Sequence, residues 1–131
     1  MIVVDASAIL ELLLGTEVGA RIEERLLSPR ESLHAPHLLD VEVAQVLRRF
    51  AAAGKLSPER GRQALADLAD LPLTRYAHDL LLPRIWDLRN NVTAYDAVYL
   101  ALAEAVSAPL VTCDAKLRSA PGHSAQVLVY R

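Results

Sequence analysis

The sequence predicts an α/β domain, a three-layer α/β/α arrangement around a mainly parallel central sheet. Short, almost wholly apolar runs such as Ile2–Val4 and Leu110–Cys113 read as strands buried on both faces. Between such runs stand longer segments whose apolar residues recur at helical spacing. The two kinds of segment alternate along the chain, as parallel strands require, because each parallel pair needs a crossover connection. At 131 residues, 53% of them hydrophobic, the chain is one domain by length and has apolar surface enough for a full core without staples.

The elements follow in order. "MIVV" is a strand, and after Asp5 the stretch "ASAILELLLG" is a short helix closed by Gly15. Thr16 caps a second helix, "TEVGARIEERLLS", with Val18, Ile22 and Leu26 on one face, and Pro29 ends it. "SLHAP" is a short strand. "HLLDVEVAQVLRRFAAAG" is a long amphipathic helix with Leu39, Val43, Val46, Leu47 and Phe50 as its stripe and Gly54 as its stop. In "LSPERGRQALADLADLP", Ser57 is the cap, Pro58 the first helical residue and Glu59 a first-turn acid, a combination that favours a helix start. "LTRYA" is a weak strand and "DLLLPRIWDLRNN" a helix with Pro83 near its start. "NVTAYDAVYLALAE" is the next helix. "PLVTCDAKLRSAPG" is a strand, Asp114 and a short helix ending near Gly122, and "AQVLVY" is the last strand. There is no internal repeat or linker.

A net charge of -2 and a pI near 6.1 exclude a global positive field that would draw in nucleic acid. Local basic groups remain, among them Arg48, Arg49 and Lys55, then Arg75, Arg84, Arg89, and Lys116 with Arg118, each most simply a solvated helix residue. The lone Cys113 reads as a small buried strand residue in a reducing compartment and argues against a cysteine-based zinc site. The opening "MIVVD" is too short for a signal-peptide core and no apolar run reaches bilayer length, so a soluble cytoplasmic protein with no membrane partner is expected. His34, His37, His78 and His123 are dispersed and read as structural or solvated.

The acids are the informative residues. Asp96 falls inside an apolar stripe made by Val92, Tyr99, Leu100 and Ala103, where an ionised side chain is costly unless something neutralises it. Arg89, about two turns earlier, is the nearest basic candidate for an ion pair. Asp5 and Asp114 each follow an apolar strand and precede a helix, which puts both at the carboxyl edge of a parallel sheet, where open α/β sheets place their ligands. Singly, each also reads as a helix cap. A fourth acid comes from the long helix, where Asp40 and Glu42 flank opposite edges of the stripe and spacing does not choose between them. Glu11, Glu23 and Glu24 are assigned to solvent.

Two like charges at about 4 Å repel by about 4 kcal/mol at an effective dielectric near 20, so converging acids need raised pKa values or a cation. Oxygen-only ligands suit a hard ion, Mg²⁺ or Mn²⁺. Such an ion activates water for in-line attack, so the chemistry implied is phosphodiester hydrolysis.

"MIVVDASAIL", the Glu42-bearing helix, "TAYDAVYLALAE" and "LVTCDAKL" follow one another as in PIN-domain proteins, and the whole chain resembles the VapC type of toxin ribonuclease. The resemblance implies a single PIN-like domain over residues 1–131 and a metal-dependent endoribonuclease of a VapBC-like toxin–antitoxin pair. Asp5, Glu42, Asp96 and Asp114 carry over as the catalytic cluster binding Mg²⁺ or Mn²⁺, which decides for Glu42 over Asp40. Ser7 and Thr112 match positions whose hydroxyls support the acids. Thr93 either joins them or caps its helix, the commoner use of Thr there. Expected partners are an RNA substrate, a cognate VapB-like antitoxin and a second copy in a homodimer. The helices after Asp5 and Gly54 are the surface expected to meet the antitoxin.

Rival readings fit the residues less well. A receiver-type phosphoacceptor carries paired acids after its first strand, whereas Asp5 is followed by Ala6 and Ser7. A haloacid-dehalogenase-like phosphatase needs an acid where Ser7 stands. A PIN-like module that binds a partner without cutting has no positive support with all four acids present.

Overall fold

The computed structural model describes residues 1–131. The elements are β1 (Ile2–Val4), α1 (Ala6–Leu14), α2 (Glu17–Leu26), β2 (Leu33–Pro36), α3 (Leu38–Ala52), α4 (Pro58–Asp70), β3 (Leu73–Tyr76), α5 (Leu82–Asp87), α6 (Ala94–Val106), β4 (Leu110–Thr112), α7 (Lys116–Ser119) and β5 (Val127–Val129). No helix is long and apolar enough to cross a membrane.

Local chemistry sets most of these boundaries. Side chains of Asp5, Thr16, Ser57 and Thr93 accept backbone N–H groups at the starts of α1, α2, α4 and α6, so donors with no partner inside the helix are satisfied. Gly15 closes α1 with φ at 68°, a left-handed turn that a side chain would disfavour.

All five strands are parallel, in the order β3-β2-β1-β4-β5. β1 lies at the centre and Ile2, Val3 and Val4 are fully buried, which is why that strand is an unbroken apolar run. The chain steps from β1 outward to β3, then crosses to β4 and β5 on the other side. Right-handed crossovers travelling in opposite directions put their helices on opposite faces. α6 packs on β1, β2 and β4, and residues Ala97 to Ala103 are all buried, so this helix is apolar nearly all round.

Four details depart from the sequence reading. The segment expected as one helix around Pro83 is a 3₁₀ turn, Asp79–Leu81, followed by the short α5, because proline is tolerated only in a helix's first turn. α7 stops at Ser119 rather than near Gly122, since Pro121 holds Ala120 extended at ψ 130°. Cys113 lies just past β4 and is half-buried rather than in the strand. Glu11 is half-buried rather than solvated, and its carboxylate accepts the Thr16 hydroxyl.

Two ion pairs brace the structure. Arg75 on β3 donates two hydrogen bonds to Asp40 on α3, at 2.8 and 3.0 Å. Arg84 on α5 does the same to Glu104 on α6, at 2.8 and 3.0 Å, and Glu104 also accepts the backbone N–H and hydroxyl of Ser124. The Arg84 hydrogen bonds hold the Glu104 carboxyl down at about 2.

Two predictions follow from packing and charge. A Cβ on Gly19 would meet the Glu11 carbonyl oxygen at 2.0 Å, where α2 crosses α1, whereas one on Gly61 would meet only Leu56 Cδ2 at 3.6 Å. Urea unfolding should show Gly19→Ala destabilised by about 3 kcal/mol and Gly61→Ala stabilised by up to about 1 kcal/mol. Glu104 has a depressed folded pKa, so its contribution is full above the ordinary value of 4.5 and lost as pH falls through about 2. Glu104→Gln should therefore melt below the wild type at pH 7, and the difference should close in strong acid.

Candidate active site

The strand order reverses between β1 and β4, whose following loops leave in opposite directions and open a crevice at the carboxyl edge. Asp5 is the first residue after β1, and Asp114 is two residues past β4. These two acids therefore flank the switch point of the sheet. Glu42 reaches it from the second turn of α3 and Asp96 from the first turn of α6.

Asp5 is the most constrained of them. Its Oδ1 accepts the Ser7 hydroxyl at 2.7 Å and the Ala8 N–H at 3.1 Å, and its Oδ2 accepts the Thr112 hydroxyl at 2.5 Å. Each hydroxyl in turn accepts from the backbone beyond β4: Cys113 N–H to Ser7 at 2.9 Å and Asp114 N–H to Thr112 at 2.9 Å. These bonds latch the corner after β1 to the end of β4. A carboxylate has about four acceptor sites, so the three bonds leave Asp5 one direction of approach, on Oδ2.

The other acids are less restrained. Glu42 accepts the Tyr99 hydroxyl on Oε1 at 2.5 Å, leaving Oε2 free. Tyr99 stands one turn after Asp96 on α6, so the same helix supplies one acid and positions another. Asp114 accepts the Lys116 N–H on Oδ1 at 2.9 Å. Thr93 caps α6 by accepting the Asp96 N–H at 3.2 Å, and the Asp96 carboxylate is in no ion pair.

Electrostatics tie the four together. Burial pushes the Asp5 carboxyl up from its ordinary range and the charge of Asp114 adds to this, against the bonds from Thr112, Ser7 and Ala8. Burial also raises Glu42, with the charges of Asp5 and Asp96 adding and the Tyr99 bond opposing. For Asp96, burial and the charge of Asp114 raise it while Thr93 and Lys116 oppose. Asp5, Glu42 and Asp96 are thus each raised in part by the charge of another acid of the set. The Tyr99 phenol is pushed far up by burial and its bond to Glu42, so it remains a donor at any ordinary pH.

Other candidates are engaged elsewhere. Asp40 is occupied by Arg75, and Arg89 lies with its guanidinium 4.5 Å over the Trp86 ring rather than on Asp96. His34 hydrogen-bonds Ser32 and Tyr76, the His78 ring accepts the Leu38 N–H, and His123 contacts the Leu117 carbonyl, so these rings serve the fold. The Cys113 thiol is pushed up to about 11 by burial and by the charges of Asp5 and Glu11, which leaves it an un-ionised thiol at neutral pH. Tyr99 is the site residue that sequence reading left in the core stripe, and its only signal was helical spacing from Asp96.

No three Asp, Glu, His or Cys side chains are gathered closely enough to enclose an ion by themselves. The donor chemistry nevertheless fits a hard divalent ion: carboxylate oxygens alone, with open acceptor sites on Asp5, Glu42, Asp96 and Asp114. Mg²⁺ retains several waters and takes one or two carboxylates, so a spaced set suits it better than a closed cage. Two grooves adjoin the acids. One of about 440 Å³ runs between α1 and α3 past Ser7, Leu10, Val41, Glu42 and Arg49, and another of about 690 Å³ begins at Asp96.

Residues 2–122 match the PIN domain family. Ribonuclease VapC1 of Mycobacterium tuberculosis is 44% identical over 131 residues, spanning 98% of this chain and 97% of its own. Ribonuclease VapC9 of the same organism is 48% identical over 117 residues, spanning 89% and 88%. The structure of VapBC2 from Rickettsia felis bound to a DNA fragment from their promoter shares the fold, with a TM-score of 0.71 at 15% identity and 100% coverage of both chains. Similarity of this extent, over the same stretches that carry the four acids, makes this chain a member of the PIN-domain family and, within it, of the VapC ribonucleases.

Proposed function

We propose that the chain is the toxin of a VapBC-like toxin–antitoxin pair, a Mg²⁺- or Mn²⁺-dependent endoribonuclease that acts in the cytoplasm. Asp5, Glu42, Asp96 and Asp114 are its catalytic, metal-binding residues. The observation that supports this reading best is the convergence of four acids from four separate elements with no ion pair among them to relieve their repulsion. Lys116 offsets part of the charge on Asp96, but no guanidinium or ammonium forms a direct pair with any of the four, as a structural role would call for.

When bound, a hard divalent ion supplies positive charge against the acids, lowers the pKa of a water and offsets charge on the leaving oxygen. The chain's own residues orient the ligands. Ser7 and Thr112 fix both oxygens of Asp5, so only one of its acceptor directions points to the reaction. Tyr99 turns Glu42 and stays protonated throughout. Thr93 sets the start of α6 and with it the position of Asp96. No side chain is assigned as a separate general base.

The antitoxin's place, on this reading, is the groove between α1 and α3, whose wall is mostly apolar and whose end abuts Glu42 and Ser7. That groove shares α1 with the surface formed by the helices after Asp5 and Gly54, α1 and α4. A homodimer is the proposed assembly.

Purified protein freed of antitoxin should cut RNA only when Mg²⁺ or Mn²⁺ is supplied. Asp96→Asn should lower the rate by more than about a hundredfold, beyond the loss typical of residues that only support metal ligands, while keeping the circular dichroism of the wild type. Tyr99→Phe should cost about 10–100-fold. Because Asp96 has a raised folded pKa, its charge destabilises the fold at pH 7, so Asp96→Asn should melt above the wild type in EDTA. Normal cleavage by Asp96→Asn, or cutting undiminished by EDTA, would overturn the assignment.

A further inference from the structure

The groove of about 690 Å³ that begins at Asp96 runs between the Arg89–Thr93 turn and the Lys116–Pro121 segment. Arg89, Asn91, Thr93, Lys116 and Ser119 line it beyond the acid. Its character is opposite to that of the crevice it joins. Arg89 and Lys116 are both exposed, and neither is in an ion pair, although the chain carries a net negative charge. Two exposed cations therefore line the groove without a salt bridge, and the charge of Lys116 reaches only Asp96 among the four acids.

Arg89 is held ready rather than loose. Its guanidinium stacks 4.5 Å over the Trp86 ring and its Nη1 donates to the Trp86 carbonyl at 3.0 Å. Both contacts leave further N–H groups of the fork unused. The chain just past one wall also comes close to the other. Gly122, with φ at 90°, lies so close to Asn91 that a Cβ there would meet its Nδ2 at 2.5 Å, and Arg84 donates to the Gly122 carbonyl at 2.8 Å.

We infer that this groove holds the single-stranded RNA next to the scissile phosphate, with Arg89 and Lys116 each on a backbone phosphate. The inference rests on the ribonuclease reading, since it places the cut bond at the acids where the groove begins. Charge supports a polyanion: the acids with their ion take one phosphate, and the cations meet the phosphates that follow. Asn91 and Ser119 offer donors and acceptors to sugar hydroxyls and base edges, the contacts through which single strands are read.

The test uses Glu42→Gln protein, in which loss of a proposed metal ligand should stop cutting, and a fluorescent single-stranded RNA titrated over a range of salt. Adding Arg89→Gln or Lys116→Gln should each flatten the plot of log affinity against log salt by about 0.7. Arg89→Lys should restore the slope, and Arg118→Gln, outside the groove, should leave it unchanged. Unaltered slopes for Arg89→Gln and Lys116→Gln, or an equal loss for Arg118→Gln, would overturn the groove assignment. Cleavage by the otherwise wild-type protein, measured alongside, separates the two readings. Cutting without the slope changes removes only the groove, whereas the slope changes without cutting remove the nuclease and leave the groove as a binding site for a single strand.

Discussion

A buried carboxylate at the centre of a parallel sheet is the constraint around which this molecule is arranged. Asp5 lies at the end of a strand whose residues are fully buried, and it is itself 6% exposed. Such a group is tolerated only when its oxygens are satisfied, and three bonds from Ser7, Ala8 and Thr112 do this. The same bonds join the two strands on either side of the switch point. The group that costs most to bury is thus also the one that fastens the crevice edge, so the site and the fold are held by one network.

The remaining acids add repulsion that this network does not remove. Burial and neighbouring charge push Glu42 and Asp96 up together with Asp5. Stability comes from elsewhere: the continuous apolar core under α6 and β1, and the Arg84–Glu104–Ser124 network away from the acids. A cluster kept at the expense of stability is characteristic of function. It also fits a site without a ready-made cage, in which the acids keep open oxygens.

Much of this was legible from residue order. Asp5 and Asp114 declared themselves by following apolar strands, since the carboxyl edge of a parallel sheet is fixed once the strands are recognised. The caps at Thr16, Ser57 and Thr93 were equally plain, being local interactions between residues three apart. Asp40 and Glu42 were not separable by spacing because the deciding contact is Arg75, 35 residues away on β3. Spacing likewise leaves Arg89 a candidate partner for Asp96, although its guanidinium lies on Trp86, three residues before it, because an exposed stacking contact has no periodicity to announce it. Tyr99 looked like core, which its ring is, and only its hydroxyl on Glu42 reveals the second use. The groove at Asp96 was invisible, because its two walls come from segments that share no periodicity.

The central claim is that the four carboxylates act as one site for a divalent ion. Electron paramagnetic resonance of free Mn²⁺ titrated with the protein at pH 7 measures this without substrate. The account predicts that the wild type removes the free-ion signal, and that Asp5→Asn, Glu42→Gln, Asp96→Asn and Asp114→Asn each weaken binding by at least about tenfold. A wild type that leaves the signal untouched, or four variants that bind as it does, would contradict it.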